Sequence, residues 1–215
     1  MTPYQISEAT LTLCRMAPVI PVLVIRDPAH AQPLARALVA GGLPVLEVTL
    51  RTPAALEVIA EMTRVTGAVV GAGTVLSSED VRAVAAAGAG FAVSPGSTNR
   101  LLAACAARAL PLLPGAATAT EAMRLLELGY TTQKFFPAAV AGGVAALRAL
   151  SAPLPQITFC PTGGIGLANA AEYLALSNVA CVGGSWVAPA DLIAQGDWDA
   201  ITALARAAAA LPRSG

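Results

Sequence analysis

The residues best suited to chemistry are a lysine, a glutamate and an arginine in two short strand-like stretches. Lys134 is the sole lysine of the chain and lies in an apolar run beside Phe135 and Phe136. An amine in a low-dielectric pocket loses proton affinity, because burial penalises its charged form. A neutral amine can form a Schiff base with a carbonyl substrate. Lys134 is therefore a candidate nucleophile, and the alternative is a strand-end residue whose amine extends into solvent.

Glu47, Thr49 and Arg51 occupy alternating positions, so a strand would point all three to one face. Arg51 could bind a substrate carboxylate through paired hydrogen bonds. Glu47 could transfer the protons that condensation of an amine with a carbonyl requires. The alternative is that Glu47 and Arg51 only pair with each other.

Two glycine-rich turns follow the last two strand-like runs: Gly163-Gly164, and Gly183-Gly184-Ser185. Glycine allows backbone N–H groups to approach an anion closely, and a helix N-terminus favours negative charge. A helical stretch is predicted to begin at Leu167, shortly after the first turn. The two turns therefore predict a phosphate site, with simple tight turns as the alternative.

The rest of the chain repeats one unit, a short β-branched run followed by an Ala/Leu-rich helical stretch. The strand-like runs are 19–25, 45–50, 68–73, 90–94, 110–113, 132–136, 157–160 and 179–182. The helical stretches are 4–15, 29–40, 54–65, 78–87, 99–107, 118–128, 143–150, 167–176 and 198–210. This pattern predicts a single-domain (β/α)₈ barrel over residues 1–215 with an extra N-terminal helix. An open doubly wound sheet is the alternative. In a barrel, chemistry belongs at the C-terminal ends of the strands.

Composition excludes several classes of function. Thirteen Asp and Glu residues balance thirteen Lys and Arg residues, so no net charge attracts nucleic acid or an anionic membrane. His30 is the one histidine, which excludes a multi-histidine metal site and makes any Ser-His-Asp triad depend on this residue. We expect no metal, no nucleic-acid partner and no membrane partner.

The cysteines and the N-terminal segment indicate a cytoplasmic protein. Cys14, Cys105, Cys160 and Cys181 show no CxxC spacing, so we expect reduced thiols that are buried as small apolar groups. The first ten residues contain Glu8 and no basic leader before an apolar core, so we expect no secretory signal.

Five stretches together resemble one known family. They are LEVTLRT (46–52), VGAGTVL (70–76), KFFPA (134–138), FCPTGGI (159–165) and GGSW (183–186). In order and spacing they resemble the 2-keto-3-deoxy-6-phosphogluconate (KDPG) aldolase family, over essentially the whole chain. The resemblance implies a class I aldolase on a (β/α)₈ barrel, usually trimeric, that cleaves a phosphorylated keto acid to pyruvate and glyceraldehyde 3-phosphate without a cofactor. Many members also act on 4-hydroxy-2-oxoglutarate.

The resemblance also implies a role for individual residues. Lys134 would form the Schiff base and Glu47 would accept and donate protons. The substrate-binding residues would be Arg51 and Thr74 for the carboxylate, Pro95 and Phe136 for the pocket wall, Thr162 for a further contact, and Gly163, Gly164, Gly184 and Ser185 for the phosphate. The chain departs from the family pattern at Ala139, where members often carry Glu, and at Ala116-Ala117, where the usual Ile-Ser is missing.

Two rival functions stay open at this point. The first is an aldolase for the galactonate series, which has the same chemistry and the opposite C4 configuration. The second, from another class, is a non-catalytic barrel that binds a phosphosugar. The joint presence of Lys134 and Glu47 disfavours the second.

Overall fold

The computed structural model describes residues 1–213, in which parallel strands alternate with helices. The strands are β1 (Val19–Leu23), β2 (Val45–Thr49), β3 (Val69–Gly73), β4 (Phe91–Val93), β5 (Leu112–Leu113), β6 (Gly115–Ala116), β7 (Thr132–Phe135), β8 (Thr158–Pro161) and β9 (Val182–Gly184). The helices are α1 (Pro3–Arg15), α2 (Ala31–Ala40), α3 (Ala55–Met62), α4 (Ser78–Ala86), α5 (Asn99–Ala107), α6 (Ala119–Glu127), α7 (Gly143–Ser151), α8 (Ala170–Leu174), α9 (Ala190–Gln195) and α10 (Trp198–Ala209). A 3₁₀ turn at Pro28–His30 leads into α2.

The strands form two parallel sheets. One has the order β5-β4-β3-β2-β1-β9 and the other has the order β6-β7-β8. Isolated parallel bridges join Phe159 to Val179 and Thr162 to Gly183, between the β8 and β9 segments. The chain is thus an α/β protein whose parallel strands form a half-barrel covered by helices.

Side chains alternate between two separate cores. Leu46 and Val48 of β2 belong to the large core between strands and helices, whereas Val45 belongs to a smaller core on the opposite face. We call that opposite face the inner face. Its apolar cluster, the inner core, consists of Cys14, Ile20, Val45, Phe91, Val93, Leu113, Cys160 and Cys181. Glu47 lies two residues beyond Val45 in β2, so it also points to the inner face.

Helix α1 closes the N-terminal end of the inner face. A capping box between Thr2 and Gln5 starts the helix, which satisfies backbone groups that the first turn leaves unpaired. The hydroxyl of Ser7 accepts a hydrogen bond from the backbone N–H of Thr131 at 2.9 Å, and Thr132 Oγ1 donates to the carbonyl of Ser7 at 3.1 Å. Because Cys14 of the same helix enters the inner core, the opposite, C-terminal end of the strands is left to form a site.

The structure corrects the predicted elements at three places. The run predicted at 110–113 is shorter, with β5 at Leu112–Leu113, and an unpredicted strand, β6, follows Pro114, which has no N–H for a ladder. The helix predicted from Leu167 begins at Ala170. Asn169 there bonds to backbone groups of Gly166 and Gly164, and such local bonds compete with helix formation. The short helix α9 was not predicted.

Among the described residues, no helix combines the length and the apolar character that a membrane span requires.

Candidate active site

Lys134 and Glu47 form a buried ion pair on the inner face. The Nζ of Lys134 lies 3.2 Å from Oε1 of Glu47, and the two residues are 5% and 3% exposed. Strands β7 and β2 belong to different sheets, so the pair connects them through the interior. Moving an ion out of water costs several kcal/mol, and removing one partner leaves the other charge uncompensated. The prediction that Lys134 is buried is confirmed. The alternative, a strand-end lysine whose amine extends into solvent, is wrong.

A glycine on the neighbouring strand makes room for the Glu47 carboxyl group. Gly73 on β3 is the in-register partner of Thr49 on β2. A Cβ atom on Gly73 would overlap with the carboxyl group of Glu47. The next residue, Thr74, has φ of 61°. This left-handed conformation is rare for a β-branched residue, and such strain clusters at functional sites. The end of β3 is therefore shaped around Glu47.

A pocket of about 320 Å³ opens at the C-terminal ends of the strands. Its lining contains predicted substrate-binding residues: Arg51, Phe136, Thr162, Gly163, Gly164, Gly184 and Ser185. The Phe136 ring connects the pocket to the ion pair, since its centroid lies 5.4 Å from Nζ of Lys134. The structure thus brings these predicted residues together with the lysine.

Two predicted residues, Thr74 and Pro95, lie outside that lining. Pro95 is half-buried, and its backbone lies against Gly115, where a Cβ atom would overlap with it. Gly115 is in turn the in-register neighbour of Lys134 on β6. Pro95 therefore lies near the lysine on the side of the site away from the glycine turns.

Arg51 stands at the rim of the pocket because β2 ends before it. Its backbone N–H donates to the carbonyl of Thr49 at 2.8 Å, and the hydroxyl of Thr49 donates to the carbonyl of Leu23 at 2.9 Å. Arg51 is exposed and takes part in none of the ion pairs found among the described residues. The alternative that Glu47 pairs with Arg51 is wrong, and the guanidinium is available for an anion.

The first glycine turn depends on backbone conformations that other residues rarely adopt. Gly163 and Gly164 have φ of 102° and 72°, and a Cβ atom on Gly164 would overlap with that of Ala139. The part of the phosphate prediction that relied on a helix at Leu167 is wrong, because α8 begins at Ala170. What lines the pocket is the loop backbone.

Three lining residues escaped the sequence reasoning: Val22, Val24 and Ile165. Val22 and Val24 follow Ile20 of the inner core at alternating positions, a signal that the sequence carries. Both are apolar, so neither carries a charged or polar group that would mark it as a site residue. At Gly183 a Cβ atom would overlap with the hydroxyl of Thr162, so this glycine gives space to a predicted site residue.

Thiols lie near the ion pair on the inner face. Cys160 is the in-register neighbour of Lys134 on β8. Hydrogen bonds with the thiols of Cys14 and Cys181 hold the pKa of Cys160 well below its ordinary value. The positive charge of Lys134 lowers this pKa further. The electrostatic influence of the lysine thus extends to the thiols as well as to Glu47.

Comparison with known proteins identifies the family. The family model described as KDPG and KHG aldolase matches residues 11–204. The chain belongs to this aldolase family. Within the family, the 2-dehydro-3-deoxy-phosphogluconate aldolase of Pseudoalteromonas atlantica is 56% identical over 194 residues, which cover 90% of each chain.

Solved structures of aldolases superpose closely on the chain. The crystal structure of the 2-keto-3-deoxy-6-phosphogluconate aldolase of Zymomonas mobilis with 3-phosphoglycerate has a TM-score of 0.90 and 51% identity, and the match covers 94% of this chain and 96% of that one. The KDPG aldolase of Legionella pneumophila, with pyruvate captured at low pH as a covalent carbinolamine intermediate, has a TM-score of 0.90 and 48% identity over 93% and 98% of the two chains. The family resemblance inferred from the sequence is confirmed.

Replacing Gly73 with alanine should impair aldolase activity, because the added methyl group displaces the Glu47 carboxyl group. A shift of about 1 Å in a catalytic group can cost about 100-fold in rate, so we expect kcat to fall by about that factor. Gly90→Ala is the matched control, because its Cβ would meet only the carbonyl of Val70 at 3.6 Å. Steady-state kinetics, with Tm as a check of folding, measure the difference. Equal rates for both variants would contradict the packing of Glu47 on Gly73.

Proposed function

We propose that this chain is a class I aldolase that cleaves 2-dehydro-3-deoxy-6-phosphogluconate to pyruvate and glyceraldehyde 3-phosphate through a Schiff base on Lys134. The observation that carries the proposal is the buried pair of Lys134 and Glu47, 3.2 Å apart, next to a pocket with an exposed arginine and two glycine turns. The relatives named as KDPG aldolases support the substrate.

The chemistry follows from the position of the amine. The neutral amine of Lys134 attacks the C2 ketone, and loss of water from the carbinolamine gives a protonated imine. This imine accepts the electron pair of the C3–C4 bond as the bond breaks. Glu47 takes the proton of the C4 hydroxyl group, directly or through water, and a proton is then added to C3 of the enamine. Hydrolysis releases pyruvate and restores the amine, so no metal or organic cofactor is needed.

The carboxylate of the substrate belongs near Arg51 and Thr74 in this proposal. Arg51 is unpaired among the described side chains and presents a planar donor group suited to a carboxylate. Phe136 and Pro95 form the wall around the pyruvyl carbons. Thr162 supports this placement because its Oγ1 is buried in the pocket wall and makes no hydrogen bond to an oxygen or nitrogen atom within the described part of the chain. A buried hydroxyl favours a ligand that supplies the missing bond.

The phosphate belongs at the two glycine turns, formed by Gly163-Gly164 and Gly184-Ser185. Ser185 is exposed at the pocket and offers a hydroxyl donor, while the glycines allow backbone N–H groups to approach an anion. The Zymomonas mobilis relative was solved with 3-phosphoglycerate, a phosphorylated carboxylic acid. That ligand has the two anionic groups for which this pocket offers separate positions.

We further propose a closed (β/α)₈ barrel, with α1 as an extra N-terminal helix and residues 1–215 as one domain, the last two of which lie outside the described residues. The bridges of Phe159 to Val179 and of Thr162 to Gly183 support closure between β8 and β9. The position of α1 across the N-terminal ends of the strands supports its role as a plug. The homotrimer and the cytoplasmic location implied by the resemblance and the free cysteines belong to the same proposal.

Two alternatives differ from this function in measurable ways. An aldolase of the galactonate series would release pyruvate from the other C4 epimer, so an assay with each epimer separates the two. A non-catalytic phosphosugar barrel would release none. The buried amine–carboxylate pair argues against the non-catalytic barrel. Desolvating two charges costs free energy, and a pocket that only binds a phosphosugar does not need them. Activity on 4-hydroxy-2-oxoglutarate is compatible with the same imine chemistry.

Pyruvate and borohydride should trap one covalent adduct per chain, on Lys134, and abolish activity. Only a neutral amine attacks the ketone, so trapping should become faster as the pH rises. Intact-mass spectrometry and peptide mapping locate the adduct. Lys134→Arg is the matched control, since it keeps the charge opposite Glu47 but offers no nucleophilic lone pair. Full activity without an adduct in the unmodified protein would contradict the Schiff base.

Glu47→Gln should separate imine formation from bond cleavage. The substitution keeps the shape and removes the titratable group, so turnover should fall by roughly 10²–10⁴ while formation of the pyruvate adduct survives in part. Stopped assays of pyruvate release and borohydride trapping measure the two steps. Glu79→Gln, at an exposed pair with Arg82, is the control. Unchanged turnover in Glu47→Gln would reduce Glu47 to a structural partner of the lysine.

Ser185→Glu should impair the phosphorylated substrate selectively. A hydrogen bond to a charged group is worth about 1.5–3 kcal/mol, which corresponds to about 10- to 150-fold in kcat/KM. Unphosphorylated 4-hydroxy-2-oxoglutarate lacks that contact and should lose far less. Parallel kinetics with both substrates give the ratio. Equal losses on the two substrates would place the phosphate elsewhere.

A further inference from the structure

Three of the four cysteines converge in the inner core, although the sequence separates them widely. Cys14 comes from α1, Cys160 from β8, and Cys181 immediately precedes β9. Their sulfur atoms all lie within 4.8 Å of one another, and Sγ of Cys160 is 3.4 Å from Sγ of Cys181. We call this group the thiol cluster. The proposed aldol reaction uses none of its members.

The thiol cluster is dry and consists of sulfur donors alone. Its three residues are at most 2% exposed, and the surrounding inner core contains Ile20, Val45 and Phe91. Within residues 1–213 it is the one group of three or more His, Cys, Asp or Glu residues whose donor atoms are placed to share an ion. Thiolate ligands without oxygen or nitrogen select soft metal ions.

We propose that the thiol cluster binds one Cu(I) ion in a three-coordinate site. Three sulfur atoms about 2.3 Å from a central ion, in one plane with it, are about 4 Å apart, and the observed separations of 3.4 Å and no more than 4.8 Å bracket that value. Structural zinc sites almost always have four ligands, and the cluster offers three. Among the soft ions that thiolates select, the ligand number therefore favours Cu(I), which forms stable trigonal thiolate complexes.

Binding requires no change of oxidation state. Three thiols each lose a proton and form a sulfur–copper bond, so one Cu(I) ion replaces three protons and no electron is transferred. The product carries two net negative charges. The positive charge of Lys134 acts on Cys160 from the adjacent strand and is shared with the carboxylate of Glu47, so it offsets only a small part of this charge.

A disulfide between Cys160 and Cys181 is the competing fate of the same atoms. The observed 3.4 Å separation exceeds the bond length of about 2.0 Å, and both residues are free. Such a bond would remove two of the three ligands. Copper binding and oxidation are thus mutually exclusive and can be distinguished by mass.

Copper content of the full-length protein tests the proposal by two routes. In the first, the purified protein is titrated anaerobically with the acetonitrile complex of Cu(I) against a chromogenic chelator. In the second, the protein is isolated from cells grown with added copper, which allows the ion to enter during folding. Native mass spectrometry gives the stoichiometry, and ultraviolet thiolate-to-copper charge-transfer absorption reports sulfur ligation. We expect one copper per chain.

Cysteine variants assign the ligands. Cys14→Ala and Cys181→Ala should each weaken binding by more than about 100-fold, since even the loss of an outer partner of a ligand costs 10- to 100-fold. Cys105→Ala is the matched control, because Cys105 is equally buried but lies in α5, outside the cluster. Burial raises the pKa of its thiol to about 11. Serine variants replace any alanine variant that does not fold, as judged by circular dichroism.

Three outcomes would overturn the proposal. They are no copper in the unmodified protein by either route, equal copper in Cys14→Ala and the unmodified protein, and a loss of two hydrogen masses without copper. The last outcome would assign the Cys160–Cys181 pair to a disulfide.

Discussion

The buried ion pair between Lys134 and Glu47 is the constraint on which the site depends. Two charges at 5% and 3% exposure are stable in a protein interior only when each faces the other with good geometry. The pair joins β7 to β2, so the register of both strands must hold. The missing side chain at Gly73 gives the carboxyl group its place, and the Phe136 ring lies 5.4 Å from the amine. Packing, register and reactivity are therefore fixed together.

The inner face changes character along its length. Helix α1 closes its N-terminal end, the ion pair lies in register with Cys160 of the thiol cluster, and the glycine turns and Arg51 form the rim. Each level has a different physical basis, from apolar packing through paired charge to exposed backbone donors. This order places the reactive amine between a dry interior and an open pocket, which allows substrate to enter while water is excluded from beneath.

Much of this arrangement could be predicted from the sequence, and the reasons differ from residue to residue. The uniqueness of Lys134 and the alternation of Glu47 with Thr49 are local signals, so the reactive pair and its strands were accessible. Contacts between segments that are distant in the sequence could not be predicted in this way. Nothing near Cys14 indicates that it meets Cys160 and Cys181, because that meeting depends on how α1 crosses the strand ends. The start of α8 was misplaced because Asn169 bonds to the preceding loop, which propensity alone does not reveal.

The distribution of cations has a consequence for covalent modification of the protein. All basic side chains other than Lys134 and His30 are arginines, so the solvent-facing positive charges resist reagents directed at primary amines. Acetylation, glycation and amine-specific crosslinking have a single lysine to reach, and it lies 5% exposed near the ring of Phe136. Reagents of this kind therefore modify a lysine side chain only when they enter through the same opening as the substrate. The extent of lysine acylation then measures access to the pocket.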